Sequence, residues 1–195
     1  MAGERWYAVT ATAMGDKSAK ALNHVELVYP PGERALARAL FELLGCNVHD
    51  SGGPFLTAKI QPDSTDLTNN AMYASEVTDE QWTLEQALQT AVHDGDLRDP
   101  SAGYLAHLQA HPQRSCHFGI RYPTAESLEA ALDRIEHVDN VEPDLKGRVS
   151  VSGVFRPGDP GSYTDTMIQA FVHTDVMASG LLTFGQHIEL QWQVP

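Results

Sequence analysis

The sequence has few cysteines and no long apolar stretch. Only Cys46 and Cys116 occur among 195 residues, which fits a reducing compartment better than a secreted scaffold built on disulfides. No run approaches the 18 uninterrupted apolar residues of a membrane-spanning helix, and the first residues lack the apolar segment of a signal peptide. We therefore expect a soluble cytoplasmic protein without a membrane partner.

Basic residues are also scarce. Lysine and arginine number 13 against 26 aspartates and glutamates, which gives a formal net charge of −13. A surface of this sign repels phosphate backbones and anionic lipid headgroups. Nucleic acid is therefore not an expected partner. Hydrophobic residues make up 42% of the chain, enough to form a folded core.

One motif occurs twice, with an offset of 93 residues. His24-Val-Glu-Leu-Val-Tyr29-Pro30 is matched by His117-Phe-Gly-Ile-Arg-Tyr122-Pro123. An amphipathic helical pattern follows each copy, carried by Leu36, Leu40, Leu43 and Leu44 in the first and by Leu128, Leu132 and Ile135 in the second. Strand, Tyr-Pro and helix recur in the same order, which indicates an internal structural repeat.

Short strand patterns follow each predicted helix. They cover Cys46–Asp50, Phe55–Gln61 and Ala71–Val77 in the first copy, and Val149–Phe155, Met167–Thr174 and Thr183–Gln193 in the second. The chain thus reads as an α+β protein of two βαβββ modules, at 21–78 and 115–195, that together form a cup-shaped mixed sheet. An N-terminal segment, 1–20, precedes them and includes a strand pattern at Trp6–Thr12.

A helical insertion, 79–114, separates the two modules. Thr78-Asp-Glu-Gln81 has the form of a capping box that opens a helix containing Trp82, and a second short helix runs towards Pro112. The insertion could serve as a lid, as a contact in a homodimer, or as a spacer packed on the back of a sheet. The spacer is the favoured interpretation.

Strand alternation separates an apolar face from a polar one. Tyr29 and Tyr122 fall on apolar faces and are predicted to lie against the helix of their own module. His24, His117 and Glu189 fall on polar faces, where solvent exposure is the ordinary explanation. Two imidazoles and one carboxylate are nevertheless the facial triad of non-haem Fe(II) sites, and they also suit zinc with a bound water.

The paired βαβββ pattern resembles the vicinal oxygen chelate superfamily, which includes glyoxalases, type I extradiol dioxygenases and bleomycin-binding proteins. The resemblance covers 21–78 and 115–195. In that family the metal ligands come from the first strand of each module and the fourth strand of the second. The resemblance therefore implies His24, His117 and Glu189 as ligands.

A second resemblance is more local. Val172-His173-Thr174-Asp175, followed by Met177, Ser179, Gly185 and Glu189, is similar to a stretch of the extradiol dioxygenases. It implies that His173 hydrogen-bonds substrate or oxygen as an acid/base. The tyrosine of that family stretch has no counterpart among residues 180–182.

These resemblances imply an enzyme that uses Fe(II) to chelate a small molecule with vicinal oxygens, such as an aromatic diol. Two alternatives remain open. In one, Glu76 is a fourth ligand of a Zn, Ni, Co or Mn site in a glyoxalase-like isomerase or lyase. Glu76 then faces the cup from the last strand of the first module, while Tyr73 and Val77 face the core. In the other, the cup binds a small ligand without metal. His187 shares the phase of Glu189 and could orient it, but an ordinary polar strand residue is the favoured interpretation.

Overall fold

The computed structural model describes residues 22–194, so the strand expected at Trp6–Thr12 lies outside the described residues. The eight strands are β1 (His24–Tyr29), β2 (Asn47–His49), β3 (Phe55–Lys59), β4 (Ala71–Glu76), β5 (His117–Arg121), β6 (Val149–Phe155), β7 (Met167–Thr174) and β8 (Gln186–Gln193). The helices are α1 (Arg34–Leu43), α2 (Asp79–Asp94), α3 (Arg98–Ala110), α4 (Ala125–Glu136) and α5 (Val138–Val141). Short 3-10 turns occupy Pro112–Arg114, Pro143–Leu145 and Leu182–Phe184.

The strands form two mixed sheets of equivalent topology. Their orders are β1-β4-β3-β2 and β5-β8-β7-β6. In each sheet the first and fourth strands are parallel, and the remaining pairs are antiparallel. A helix connects the first and second strands of each sheet. The prediction of an α+β fold with two βαβββ modules is therefore confirmed.

The core lies between the sheets and helices α1 and α4. Leu27 and Tyr29 on β1 are each only 1% exposed, and Phe41 of α1 and Leu128 of α4 are fully buried. These side chains belong to one continuous hydrophobic cluster that spans both modules. The predicted apolar phase of the two repeat strands is confirmed by this burial, since Ile120 on β5 is also buried.

The modules are joined where α1 ends. The hydroxyl of Tyr122 donates to the carbonyl of Leu44 at 2.6 Å, and Arg134 Nε donates to the carbonyl of Leu43 at 3.2 Å. Tyr122 packs on the shared core, but its polar end reaches the helix of the first module and not its own. The prediction for Tyr29 is confirmed by its burial, and the ring of Tyr122 packs on the core that includes its own helix while its hydroxyl bonds to the first module.

Strand β4 has the opposite phase from the one expected. Met72 and Ala74 are fully buried, whereas Tyr73 pairs with Glu26 on the polar face and Glu76 pairs with Tyr29. The Glu76 carboxylate accepts a hydrogen bond from the backbone of Gly32 at 2.8 Å. The expectation that Glu76 faces the cup is therefore wrong, because this side chain holds the turn between β1 and α1.

The insertion lies across the polar face of the second sheet. Its first helix begins at the predicted cap, since the Thr78 hydroxyl accepts the amide of Gln81. Pro112 packs on β6, where a side chain at Gly153 would stand 3.6 Å from its ring. Gly153 pairs with Phe171, and Phe171 with Glu189, so these residues share one face. The interpretation as a spacer on the back of a sheet is therefore wrong.

A hydrogen-bonded carboxylate fixes this insertion. Glu85 of α2 has no exposed surface. Its two oxygens accept the amides of Leu182 and Thr183 at 2.7 and 2.9 Å and the Thr183 hydroxyl at 2.5 Å. The insertion is thus bonded to the 3-10 turn that precedes β8. No helix within 22–194 is both long enough and apolar enough to cross a membrane.

Candidate metal centre

Three histidines lie side by side on the polar face of the second sheet. His117 on β5 pairs with His187 on β8, and His187 pairs with His173 on β7. Paired residues on neighbouring strands point to the same face. Glu189 follows two residues after His187 and therefore lies on that face as well, opposite Gly119. The sheet register thus collects four candidate ligands or acid/base groups in one region.

His117 and Glu189 are in contact. His117 Nε2 lies 3.3 Å from Glu189 Oε2, and His117 Nδ1 lies 2.9 Å from the carbonyl oxygen of Ser115. A carbonyl can only accept a hydrogen bond, so Nδ1 carries a proton. In the neutral ring, the lone pair of Nε2 then faces a carboxylate oxygen. That arrangement is favourable only if a proton or a metal cation lies between the two atoms.

The dimensions of this pair suit a cation. Nitrogen and oxygen ligands lie about 2.0–2.2 Å from zinc, so two ligands at right angles to one ion are roughly 3 Å apart. The observed 3.3 Å is close to this value. A histidine that donates its other ring nitrogen to a carbonyl is also the usual arrangement of a metal ligand, because that bond fixes the tautomer.

The surroundings of Glu189 leave one of its oxygens free for a cation. Oε1 accepts a hydrogen bond from Gln169 Nε2 at 2.7 Å. Oε2 lies 3.4 Å from the position that a side chain on Gly119 would take, so the glycine leaves space beside it. The amide oxygen of Gln169 is buried and, within the described part of the chain, has no hydrogen-bond partner. A water or hydroxyl group held beside Glu189 would satisfy it.

His187 is the buried member of the histidine row. It is only 3% exposed, and burial, followed by the neighbouring His173 and His117, lowers the pKa of its imidazole to about 4. Its Nε2 lies 3.1 Å from the hydroxyl of Ser152 at the β-bulge of β6. From the sequence alone, His187 is expected to be an ordinary polar strand residue. Its position two residues before Glu189, in the same phase, was the signal for a place in the site.

His24 is not brought to the other two predicted ligands. It is exposed, its Nδ1 lies 2.6 Å from the side-chain oxygen of Asn23, and its ring contacts Tyr73 edge-on with centroids 5.3 Å apart. Across 22–194, no three His, Cys, Asp or Glu side chains converge in a way that could hold a metal ion. The structure thus unites two of the three predicted ligands.

His173 lies at the other end of the row from His117. Its ring centroid is 5.1 Å from that of His187, and its Nε2 is 3.4 Å from the carbonyl oxygen of Phe184. Strand β8 separates it from β5. The predicted acid/base is therefore on the same sheet face as His117 and Glu189, and its direct neighbour is His187.

No family model and no curated protein matches the chain. Two solved structures are similar in coarse architecture. One, from Bacillus anthracis, is described provisionally as a glyoxalase family protein; it is 11% identical, with a TM-score of 0.44, over 91% of this chain and 98% of that one. The other, described as a possible glyoxalase from Bacillus cereus, is 12% identical, with a TM-score of 0.40, over 88% and 98%.

Proposed function

We propose that the chain is a metalloenzyme that holds one divalent cation between His117 and Glu189 and acts on a small molecule through adjacent oxygen atoms. The observation that carries this proposal is the facing pair of Nε2 and Oε2, 3.3 Å apart, with the proton of His117 held on the other nitrogen. The glycine beside the carboxylate and the orphaned oxygen of Gln169 support it.

The third protein ligand in this proposal is His24. A cleft of about 230 Å³ runs between the first residues of β1 and β5 and is lined by His24, Phe118 and Gly119. His24 is exposed and held by Asn23 and Tyr73. It would have to leave both contacts to reach a cation at His117. Glu76 cannot serve as a further ligand in its present position, because it bonds to Gly32 on the other side of β4.

Fe(II) is the proposed metal, with zinc, nickel, cobalt or manganese as alternatives, and an aromatic diol is the proposed substrate. A bound divalent ion would act as a Lewis acid that lowers the pKa of the diol oxygens. In this scheme His173 holds or moves a proton at its ring nitrogen. Gln169, whose amide oxygen is unpartnered, accepts a hydrogen bond from a hydroxyl group beside Glu189.

Metal titration of the purified protein tests the proposal. Protein prepared without chelator is titrated with Fe(II) under anaerobic conditions, and separately with Zn(II), by calorimetry and elemental analysis. His117→Ala should abolish tight binding, because it removes one of the two ligands in contact. His137→Ala is the matched control, since this exposed histidine pairs with Asp133 on α4. Full occupancy in His117→Ala would refute the metal site.

A second titration and an oxygen assay test the finer parts. His24→Ala should weaken binding if this residue is the third ligand, and unchanged affinity would remove it from the ligand set. Oxygen consumption by Fe(II)-loaded protein with catechols tests the dioxygenase reaction. His173→Ala should then slow turnover by about 10²–10⁴-fold while metal affinity changes little. Absence of oxygen consumption would refute the reaction but leave the metal site standing.

A metal-free binding protein is the second candidate function. It is favoured by the fact that only two of the predicted ligands touch, since a protonated His117 would satisfy the same pair as an ion pair. In that case the wild-type protein shows no saturable metal binding at all.

A further inference from the structure

A chain of side-chain hydrogen bonds ends at His24. It begins at Asp66, in the loop between β3 and β4, whose Oδ2 accepts a hydrogen bond from Asn69 Nδ2 at 2.7 Å. The side-chain oxygen of Asn69 accepts one from Asn23 Nδ2, and Asn23 Oδ1 lies 2.6 Å from His24 Nδ1. Two amides thus connect a carboxylate to the imidazole.

The carboxylate sets the direction of every bond in this chain. An ionised carboxylate only accepts hydrogen bonds, so Asn69 turns its NH2 group towards Asp66 and its oxygen towards Asn23. Asn23 then donates to that oxygen and turns its own oxygen towards His24. An amide oxygen also only accepts, so the proton of the imidazole lies on Nδ1. In the neutral ring, Nε2 is the unprotonated nitrogen.

The loop holds Asp66 in a fixed orientation. Its Oδ1 accepts the amide and the hydroxyl of Thr68 at 2.9 and 2.8 Å and the amide of Asn69 at 3.3 Å. The loop then enters β4 at Ala71, whose amide donates to the backbone carbonyl of Asn23 at 3.4 Å. One carboxylate oxygen is therefore committed to the loop, and the other faces the chain that leads to His24.

Both repeat histidines carry their proton on the same nitrogen, but through different partners. At His117, Nδ1 lies beside the backbone carbonyl of Ser115, whereas at His24 it lies beside a side-chain amide. When the other ring nitrogen of a ligand histidine donates to a fixed acceptor, the tautomer is set in advance. The opposite direction of the chain would fasten the loop equally well but would leave Nε2 of His24 protonated.

We propose that Asp66 is a positioning residue that acts through Asn69 and Asn23 to place the proton of His24 on Nδ1. Nε2 is thereby kept unprotonated, which is the state in which it can bind a metal cation. Only that consequence rests on the proposed metalloenzyme function, because the tautomer exists without metal. A cation that drew His24 towards His117 would break the bond to Asn23, so the chain sets the state from which His24 starts.

Asp66→Asn tests the direction of the chain. Asparagine has nearly the shape of aspartate but only one oxygen, and the donors of Thr68 and Asn69 hold that oxygen at the Oδ1 position. Its NH2 group then takes the place of Oδ2 and faces Asn69. Both amides of the chain have to reverse, Asn23 donates to Nδ1, and the proton of His24 moves to Nε2.

The 15N NMR signals of the imidazole distinguish the two tautomers, because a protonated and an unprotonated ring nitrogen have different chemical shifts. The full-length, metal-free protein is measured at about pH 8, where an ordinary imidazole is neutral, and His24→Gln identifies the signals. We expect the Nδ1–H form in the wild type and the Nε2–H form in Asp66→Asn, with their ratio changed on the order of tenfold. Asp63→Asn is the matched control, since Asp63 is exposed in the same loop, and it should keep the wild-type ratio.

Asn69→Ala interrupts the chain and leaves the contacts of Asp66 with Thr68 in place. The preference for the Nδ1–H form should then fall, which tests the proposal even if Asp66→Asn does not fold. The Nε2–H form in the wild type, or an unchanged ratio in either variant, would overturn the proposal. A loss of stability in urea unfolding with the wild-type ratio kept would show that Asp66 only fastens the loop. If the ratio changes as expected but zinc titration of the wild type shows no binding, the proposed metal site fails and the role of Asp66 stands.

Discussion

Replacing Glu85 with alanine should destabilise the protein more than a substitution at an ordinary position of a solvent-facing helix. The carboxylate is fully buried and accepts two backbone amides and one hydroxyl at 2.5–2.9 Å. A hydrogen bond to a charged group contributes about 1.5–3 kcal/mol, and a buried donor left without a partner costs about 1–3 kcal/mol. These terms are not additive, because water enters the space that the side chain vacates. We expect a loss of about 3 kcal/mol in the free energy of unfolding.

Glu85→Gln separates charge from shape. The glutamine side chain has nearly the same volume but only one acceptor oxygen. Its amide nitrogen must therefore face one of the donors that now hydrogen-bond to Oε1 and Oε2. We expect a loss of about 2 kcal/mol for this variant, since one buried donor stays unsatisfied. Gln86→Ala is the matched control, because its side chain is exposed on the same helix, and its stability should stay within about 0.5 kcal/mol of the wild type.

Urea unfolding, followed by far-ultraviolet circular dichroism, measures these differences. In thermal unfolding the Glu85→Ala loss corresponds to a melting temperature lower by roughly 6–12 °C, at about 2–4 °C per kcal/mol for a chain of this length. The reasoning would be refuted if Glu85→Ala unfolded within about 0.5 kcal/mol of the wild type. In that case the hydrogen bonds to the carboxylate, which include a longer one from Gln81 Nε2 at 3.4 Å, contribute no more than water does.

Two further predictions concern the polar face of the second sheet. The pKa of His187 is lowered to about 4 from 6.5 in the unfolded chain, so the unfolded state binds a proton first as the pH falls. The free energy of unfolding of the metal-free wild type should therefore fall by up to about 3 kcal/mol between pH 6.5 and pH 4. This fall should be smaller in His187→Gln. Equal falls in the two proteins, measured by urea unfolding, would contradict the assignment of the lowered pKa to His187. Gly185→Ala should unfold at a lower urea concentration than the wild type and should shift the NMR signals of the His173 ring. The new Cβ would stand 2.5 Å from the Thr174 carbonyl oxygen and 2.6 Å from His173 Nε2, at a residue whose φ is +66°. Unchanged ring signals would show that the turn adjusts without moving the imidazole.

The module architecture could be predicted from local patterns, but the phase of one strand could not. The His-x-x-x-x-Tyr-Pro motif occurs twice, and apolar residues recur at helical spacing after each copy. Both modules have the predicted topology. In β4 the sequence Ala-Met-Tyr-Ala-Ser-Glu places large and small side chains on both faces. Tyr73 has the size of a core residue, yet the structure buries the smaller Ala74 and Met72 instead. Glu76 was misplaced for the same reason.

The candidate site depended on information that no strand pattern contains. Alternation placed His117 and Glu189 on one face, and the register of β5 with β8 then brought them together. The position of His24 depends on how the edges of the two sheets meet, which is a property of the packed core and not of either repeat. The sequence contains no signal for the burial of Glu85, because a glutamate on a helix is normally exposed. Its two backbone donors come from residues 97 and 98 positions away.

The carbonyls at the end of α1 have a consequence for how the chain evolved. A helix leaves its last carbonyls without partners inside the helix, and here Leu43 and Leu44 find theirs in Arg134 and Tyr122 of the other repeat. If the repeat arose by duplication of a single ancestral unit, that unit could have met the same need with water or by pairing with a second copy of itself. Fusion of the two copies would then have turned a contact between chains into one within a chain. It would also have freed each copy to diverge, so that within 22–194 the insertion covers the polar face of the second copy.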